Sequence, residues 1–257
     1  MSKLKYKPKQ RLKLNPPIII LVEPQLGENI GFAARAMLNF NITSLRLVNP
    51  RESWPNKQAI STSAGAIDSG KSNVSLHNNI EEATEDISYL LATTARNRDL
   101  NKPVLSPIEA AESLLHAQIK GMSTGIVFGA EKSGLKNSDI IKADAIVNIY
   151  SNSKFSSINL AMSVLIISYQ WYSRKIEFIE SGKLPKQKNL KKNSANKKEL
   201  NFFISRLLTL LSDNDFFSPS EKKQSMVNNI EAIFARSNLT PQELRTLHGI
   251  LSNLIKS

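Results

Sequence analysis

The side chain with the widest chemical reach in this sequence is Arg35. It lies in the second turn of a helical pattern in which Gly31, Ala33, Ala34 and Ala36 keep the helix thin. A thin helix lets its backbone approach another group closely. A guanidinium on such a helix, near a strand end, is placed to hold a phosphate through a fork of hydrogen bonds. The same residues also describe an ordinary packed helix with a surface arginine. Three more polar or glycine-bearing segments share the setting: Thr93-Thr94-Ala95-Arg96-Asn97-Arg98, Gly129-Ala130-Glu131-Lys132-Ser133-Gly134, and Tyr150 through Ser156-Ser157-Ile158-Asn159. Each alone reads as a turn. Four in series at strand ends make a candidate site.

More familiar chemistry is excluded. Gly129 to Gly134 has the glycine spacing of a P-loop, but Leu135-Lys136 follows where Lys-Ser/Thr is required. There is no Gly-x-Gly-x-x-Gly. His77 falls in a polar turn, and His116 and His248 fall within helical patterns, without a metal-ligand companion. The absence of cysteine removes disulfides and thiolate metal sites, and suits a reducing cytoplasm.

These segments must be positioned by the elements around them. Continuous apolar runs predict strands at Ile18–Glu23, Leu45–Asn49, Ile87–Thr93, Ile126–Gly129 and Ile146–Ile149. Helical patterns cover Ile30–Phe40, Pro107–Ile119, Ser138–Lys142 and Ile158–Ile179, with Asn29 as a cap for the first. Alternation of this kind predicts an α/β domain with a mainly parallel sheet, whose ligands lie beyond the carboxyl ends of the strands. All four polar segments begin there.

Charge divides the chain differently. Residues 1–13 carry six basic residues and no acid, and residues 183–198 carry seven lysines and no acid, within a net charge of +12. The remainder is nearly neutral. Such runs suit a polyanion, and they equally suit a solvated linker. The expected organisation is a basic tail over 1–14, an α/β domain over 15–180, a Lys-rich linker over 181–198 and a helical domain over 199–257. In the last, Ser218-Pro219-Ser220-Glu221 and Thr240-Pro241-Gln242-Glu243 have the form of capping boxes, and Leu244, Leu247, Leu251 and Leu254 form one stripe. Neither a signal peptide nor a membrane span is expected, so the chain reads as soluble and cytoplasmic.

Taken in order, Asn29…Arg35, Phe128-Gly129-x-Glu131-x-x-Gly134 and Ser157-x-Asn159-x-x-x-Ser163 resemble the three motifs of the SpoU/TrmH-type branch of the SPOUT RNA methyltransferases. The runs Ile20 to Pro24, Leu45 to Pro50, Thr93 to Arg96 and Ile233 to Leu251 extend the likeness to the bacterial tRNA (cytidine/uridine-2′-O)-methyltransferases, over nearly all of residues 15–257. Lys132 stands where many relatives have Arg, and Asn41 where they often have Gly.

The resemblance implies a deep trefoil knot at the end of the catalytic domain, S-adenosylmethionine as methyl donor, no metal, and a homodimer with tRNA as partner. It implies 2′-O-methylation of a pyrimidine in the anticodon loop. Arg35 would activate the ribose hydroxyl, with Asn29, Ser157, Asn159 and Glu131 around it. Thr93, Thr94, Ala95, Gly129, Ile149, Ser156, Ser157 and Ile158 would hold the cofactor. Arg35, Arg96, Arg98, Lys183, Lys186, Lys188, Lys191 and Lys192 would contact RNA. The alternatives are a ribosomal RNA target or an RNA-binding homologue without catalysis.

Overall fold

Side chains alternate strictly across the first strand. Ile19 and Leu21 face one hydrophobic cluster, while Ile20 and Val22 face another. A strand buried on both faces belongs inside a layered α/β domain. The computed structural model, which describes residues 14–95, 102–182, 194–218 and 220–254, shows that arrangement. The elements are β1 (Ile18–Val22), α1 (Gly27–Asn39), β2 (Ser44–Val48), α2 (Lys57–Thr62), β3 (Asn73–His77), α3 (Ile80–Thr84), β4 (Tyr89–Thr93), β5 (Val104–Leu105), α4 (Pro107–Ile119), β6 (Thr124–Phe128), α5 (Asn137–Ile141), β7 (Ala145–Val147), α6 (Leu160–Ser181), α7 (Lys197–Asp213), α8 (Lys223–Ala235) and α9 (Pro241–Leu254).

The seven strands form one sheet in the order β3-β2-β1-β6-β4-β7-β5, with every pairing parallel. One face packs against α1, α4 and α6 through residues such as Met37, Leu114, Val164 and Trp171. The other packs against α3 and α5 through Ile80, Ala83 and Ile140. Strands β6, β4 and β7 are adjacent, so the loops leaving their carboxyl ends lie side by side.

Pro107–Ile119 is a helix as expected, started by a complete capping box from Ser106 and Glu109. The five expected strands are present with ends shifted by no more than two residues. Strands β3 and β5 were not expected. The first is a half-exposed edge strand and the second has two residues, so neither carries a continuous apolar run. His77 therefore ends β3 rather than sitting in a turn. Helix α1 begins at Gly27 with Leu26 as its cap, so Asn29 lies inside the first turn and does not cap it. The thinness of α1 serves a neighbouring helix: a Cβ on Gly31 would stand 2.0 Å from Thr62 Oγ1 and 2.3 Å from the Ala59 carbonyl oxygen.

Helices α7, α8 and α9 share a small cluster of their own, built on Leu200, Phe203, Ile204 and Leu244. Leu247 and Leu251 pack against it, whereas Leu254 is exposed. Thr240 and Glu243 exchange the expected capping bonds at 2.8 and 3.2 Å. Ser218 does not start an α-helix; a short 3-10 turn over Ser220–Lys222 precedes α8 instead.

The end of the expected linker is not linker. Asn196 caps α7 with Glu199 completing the box, and Lys197 is buried. Its Nζ lies 2.8 Å from Asp144 Oδ2, with the two side chains 4% and 5% exposed. Asp144 Oδ2 also accepts the Leu90 N–H at 2.7 Å. The backbone N–H groups of Lys197 and Lys198 donate to the carbonyls of Ile87 and Glu85. The Lys102 ammonium donates to the Ala143 carbonyl nearby. Burial pulls Lys102 down to about 8, against the opposing pull of Asp144 and with help from Lys197 and Arg236. Two lysines of the basic run are thus committed to ion pairs, Lys197 with Asp144 and Lys198 with Glu85. Among the described residues, no helix is long and apolar enough to cross a membrane.

Candidate active site

The loops after β4, β6 and β7 enclose a cleft of about 340 Å3. Its walls are Thr93–Ala95 from the first loop, Phe128–Gly134 from the second, and Val147, Ile149 and Ser156–Ile158 from the third. Leu160 and Ser163, from the first turn of α6, complete it. All eight residues expected around a cofactor therefore line one cavity.

The second loop owes its shape to two glycines. Its ends meet through a bridge between Ala130 and Gly134, with the Gly134 N–H donating to the Ala130 carbonyl at 2.8 Å. Gly134 sits at φ +68°, and a Cβ on Gly129 would lie 2.2 Å from the Leu135 nitrogen. A side chain at Gly129 would open the loop. In the first loop the Thr93 hydroxyl donates to the Val127 carbonyl, and the Thr94 N–H donates to the Val147 carbonyl. These bonds stitch the three strand ends together. In the third loop the Ser151 hydroxyl donates to the Ser156 carbonyl at 3.2 Å, leaving Ser157 exposed at the cleft wall.

Beside the cleft, a hydrogen-bonded chain joins three distant segments. The Glu131 carboxylate accepts Asn29 Nδ2 at 2.8 Å, the Gln25 N–H at 2.8 Å and the Leu26 N–H at 3.3 Å. An anion is well placed there, at the electropositive start of α1. Asn29 Oδ1 accepts Asn159 Nδ2 at 3.0 Å. Asn159 Oδ1 in turn caps α6, accepting the N–H groups of Ala161 and Met162. The second loop, α1 and α6 are thereby locked in register. Removing Glu131 or Asn159 leaves one end of the buried Asn29 amide unpaired, at a cost of about 1–3 kcal/mol.

Arg35 lies six residues further along α1 from Asn29, about 9 Å along the axis at about 1.5 Å per residue. It is exposed and makes no hydrogen bond or ion pair with another described residue. The lock thus brings Asn29, Glu131 and Asn159 together and fixes the helix that carries Arg35. Arg96, Arg98, Lys183, Lys186, Lys188, Lys191 and Lys192 lie outside the described residues.

Sequence reasoning did not select Phe128, Ala130, Lys132, Ser133, Gly134, Val147, Leu160 or Ser163 for the cleft. Val147 and Leu160 are buried apolar residues that carry no polar signal. The others sit inside motifs already singled out, where adjacency was the available sign. Lys136, at the foot of the second loop, pairs with Glu23 at 2.8 Å, and that bond raises its pKa.

An all-parallel, three-layer α/β fold with its cleft at the carboxyl ends of three adjacent strands defines the class as an α/β protein that binds its ligand at the strand ends. The chain belongs to the SpoU rRNA methylase family, whose sequence model matches residues 16–169. It is 33% identical over 243 residues to the tRNA (cytidine/uridine-2′-O-)-methyltransferase TrmJ of Pectobacterium atrosepticum, covering 93% of this chain and 96% of the relative. It is 31% identical over 243 residues to the tRNA (cytidine/uridine/adenosine-2′-O-)-methyltransferase TrmJ of Pseudomonas aeruginosa, covering 93% of each. Among solved structures it is similar to TrmJ from Z. mobilis ZM4, with a TM-score of 0.81 and 36% identity over 93% of this chain and 99% of that one.

Proposed function

We propose that this chain is an S-adenosylmethionine-dependent RNA 2′-O-methyltransferase acting on tRNA, at a pyrimidine ribose of the anticodon loop. The carrying observation is the cleft itself: three strand-end loops wall it, and a side-chain lock ties it to the helix bearing Arg35. The relatives' names supply the substrate class. A volume of about 340 Å3 lies within the ~300–1,000 Å3 range of small-molecule sites. The backbone edges and hydroxyls of Thr93, Thr94, Ser156 and Ser157 suit a nucleoside-bearing ligand.

Bound there, S-adenosylmethionine supplies an electrophilic methyl group whose leaving group is a neutral thioether, so no general acid is required. The chain's task is the nucleophile, a weakly acidic ribose hydroxyl. A guanidinium is already protonated and has no acceptor site, so it cannot take that proton. Arg35 instead orients an RNA phosphate beside the hydroxyl, so that the phosphate passes the proton on to solvent as the oxygen attacks, and it stabilises the negative charge that grows on that oxygen. Asn29, Asn159 and Glu131 position α1 and the second loop, and Ser157 offers a hydroxyl at the cleft wall.

The reading includes a trefoil knot formed by the loops around β6, β4 and β7, supported by that strand order. It includes a homodimer, supported by Tyr150 and Phe155, which are 81% and 79% exposed, and by Met162 and Tyr169 on α6. Residues 15–180 are the catalytic domain and α7–α9 an accessory one. The test is nucleoside mass spectrometry of tRNA and, in parallel, ribosomal RNA, each incubated with the protein and methyl-labelled S-adenosylmethionine. A labelled 2′-O-methylpyrimidine is expected; label confined to ribosomal RNA, or none at all, would overturn the proposal.

A further inference from the structure

The cleft wall carries two charged side chains, and they differ in how they are used. Both oxygens of Glu131 are taken, by Asn29, Gln25 and Leu26. Lys132 is exposed, lines the cleft and makes no hydrogen bond or ion pair with another described residue. The neighbouring Lys136, by contrast, is held by Glu23. Two further positive sources lie on the helices that the lock joins: Arg35 on α1, and the N-terminus of the 22-residue helix α6, which begins directly after Asn159. Glu131 keeps its negative charge, but its oxygens are turned to the neutral donors of the lock, and no ion pair joins it to Lys132.

An exposed lysine that no carboxylate holds does not favour a sulfonium beside it, because like charges repel. It calls for an anion. RNA provides one phosphate per nucleotide, and an unpaired lysine at a cleft mouth binds phosphate as a point charge. We propose that Lys132 holds a backbone phosphate of the RNA substrate at the mouth of the cofactor cleft, and that this contact makes RNA and cofactor bind more tightly together than apart. The proposal rests on the reading of the cleft as a methyl-donor site. Linkage makes the effect reciprocal: the phosphate relieves the repulsion that Lys132 exerts on the methyl donor, and the donor strengthens the hold on RNA.

The test uses the full chain and its Lys132→Gln and Lys132→Arg variants. Binding of tRNA is followed by fluorescence anisotropy over a salt series, and binding of S-adenosylmethionine alone by calorimetry. Lys132→Gln should weaken tRNA binding several-fold and reduce the slope of log K against log salt by roughly 0.7–0.9, the loss of one phosphate contact. Lys132→Arg should restore both. Affinity for S-adenosylmethionine without RNA should hold or improve in Lys132→Gln. Unchanged tRNA affinity and slope would overturn the proposal. So would weaker S-adenosylmethionine binding with tRNA binding intact, which would assign Lys132 to the cofactor's carboxylate. A wild-type protein that binds tRNA but transfers no methyl would instead overturn the enzymatic reading, and the salt slopes would still report on Lys132.

Discussion

At the carboxyl ends of β4, β6 and β7 the polar groups are mostly neutral amides and hydroxyls, and one side of their cluster opens onto a cleft. At the amino ends of β4 and β7 the polar groups are charged and closed in: Lys197 and Lys102 meet Asp144 and the Ala143 carbonyl beneath α7. The difference separates two uses of buried polarity. A lock in which one carboxylate accepts only from neutral amides can hold geometry while leaving Lys132 and Arg35 free for a substrate. A buried ion pair is complete in itself and joins one body to another. Substitutions at the amino ends should therefore act on stability, and those at the carboxyl ends on turnover.

The largest effect is expected from Lys197→Ala. It strands the Asp144 carboxylate in the interior, and breaking a buried pair in this way costs about 3–5 kcal/mol. Urea denaturation should show the loss, and a midpoint equal to wild type would break the comparison from the stability side. Next is Arg35→Ala, which should lower kcat by about 10^2 to 10^3, the range for removing one donor that stabilises developing charge. Thermal stability and cofactor affinity should stay near wild type, because Arg35 is exposed and bonded to no other described residue. Turnover within a few-fold of wild type would remove it from the mechanism.

Glu131→Gln should be milder. It turns one acceptor oxygen into a donor facing the Gln25 and Leu26 N–H groups or Asn29. A fall in kcat larger than the rise in the KM for tRNA would mark loss of positioning, whereas a drop in melting temperature with kcat intact would make the lock purely structural.

A smaller effect lies in pH. Lys102 is pulled from 10.5 to about 8 by burial, so between those values the unfolded chain binds more protons than the folded one. Stability should rise with pH across that window and fall as pH drops through about 8. Tyr89, raised from 10.0 to about 12 by burial, acts oppositely above pH 10, so the gain should be visible between about 8 and 10. Lys102→Met should flatten the melting temperature across that interval; an unchanged pH profile would contradict the assignment. The smallest effect belongs to Lys198→Gln. Its pair with Glu85 is exposed, and such pairs contribute about 0–1 kcal/mol. It directly follows Lys197 in the chain, so a matched pair of variants isolates burial from charge.

The sequence by itself determined the class of the fold, because strands buried on both faces carry continuous apolar runs, as Ile18–Val22 and Ile126–Phe128 do. It also determined which turns matter. Thr93 to Ala95, Gly129, Ile149 and Ser156 to Ile158 meet in one cleft because parallel strands deliver their carboxyl ends to the same edge. Tertiary structure decided the rest, through contacts between residues far apart in the chain. Asn29 looks like a helix cap by its neighbours, but Glu131 and Asn159, more than one hundred residues away, take both ends of its amide. Lys197 looks like part of a solvated run because six other lysines share it. Only the arrival of Asp144 beneath α7 makes it a buried partner. Local pattern reports what a residue can do, while the partner that uses it is chosen when the sheet and helices bring distant segments within hydrogen-bonding reach.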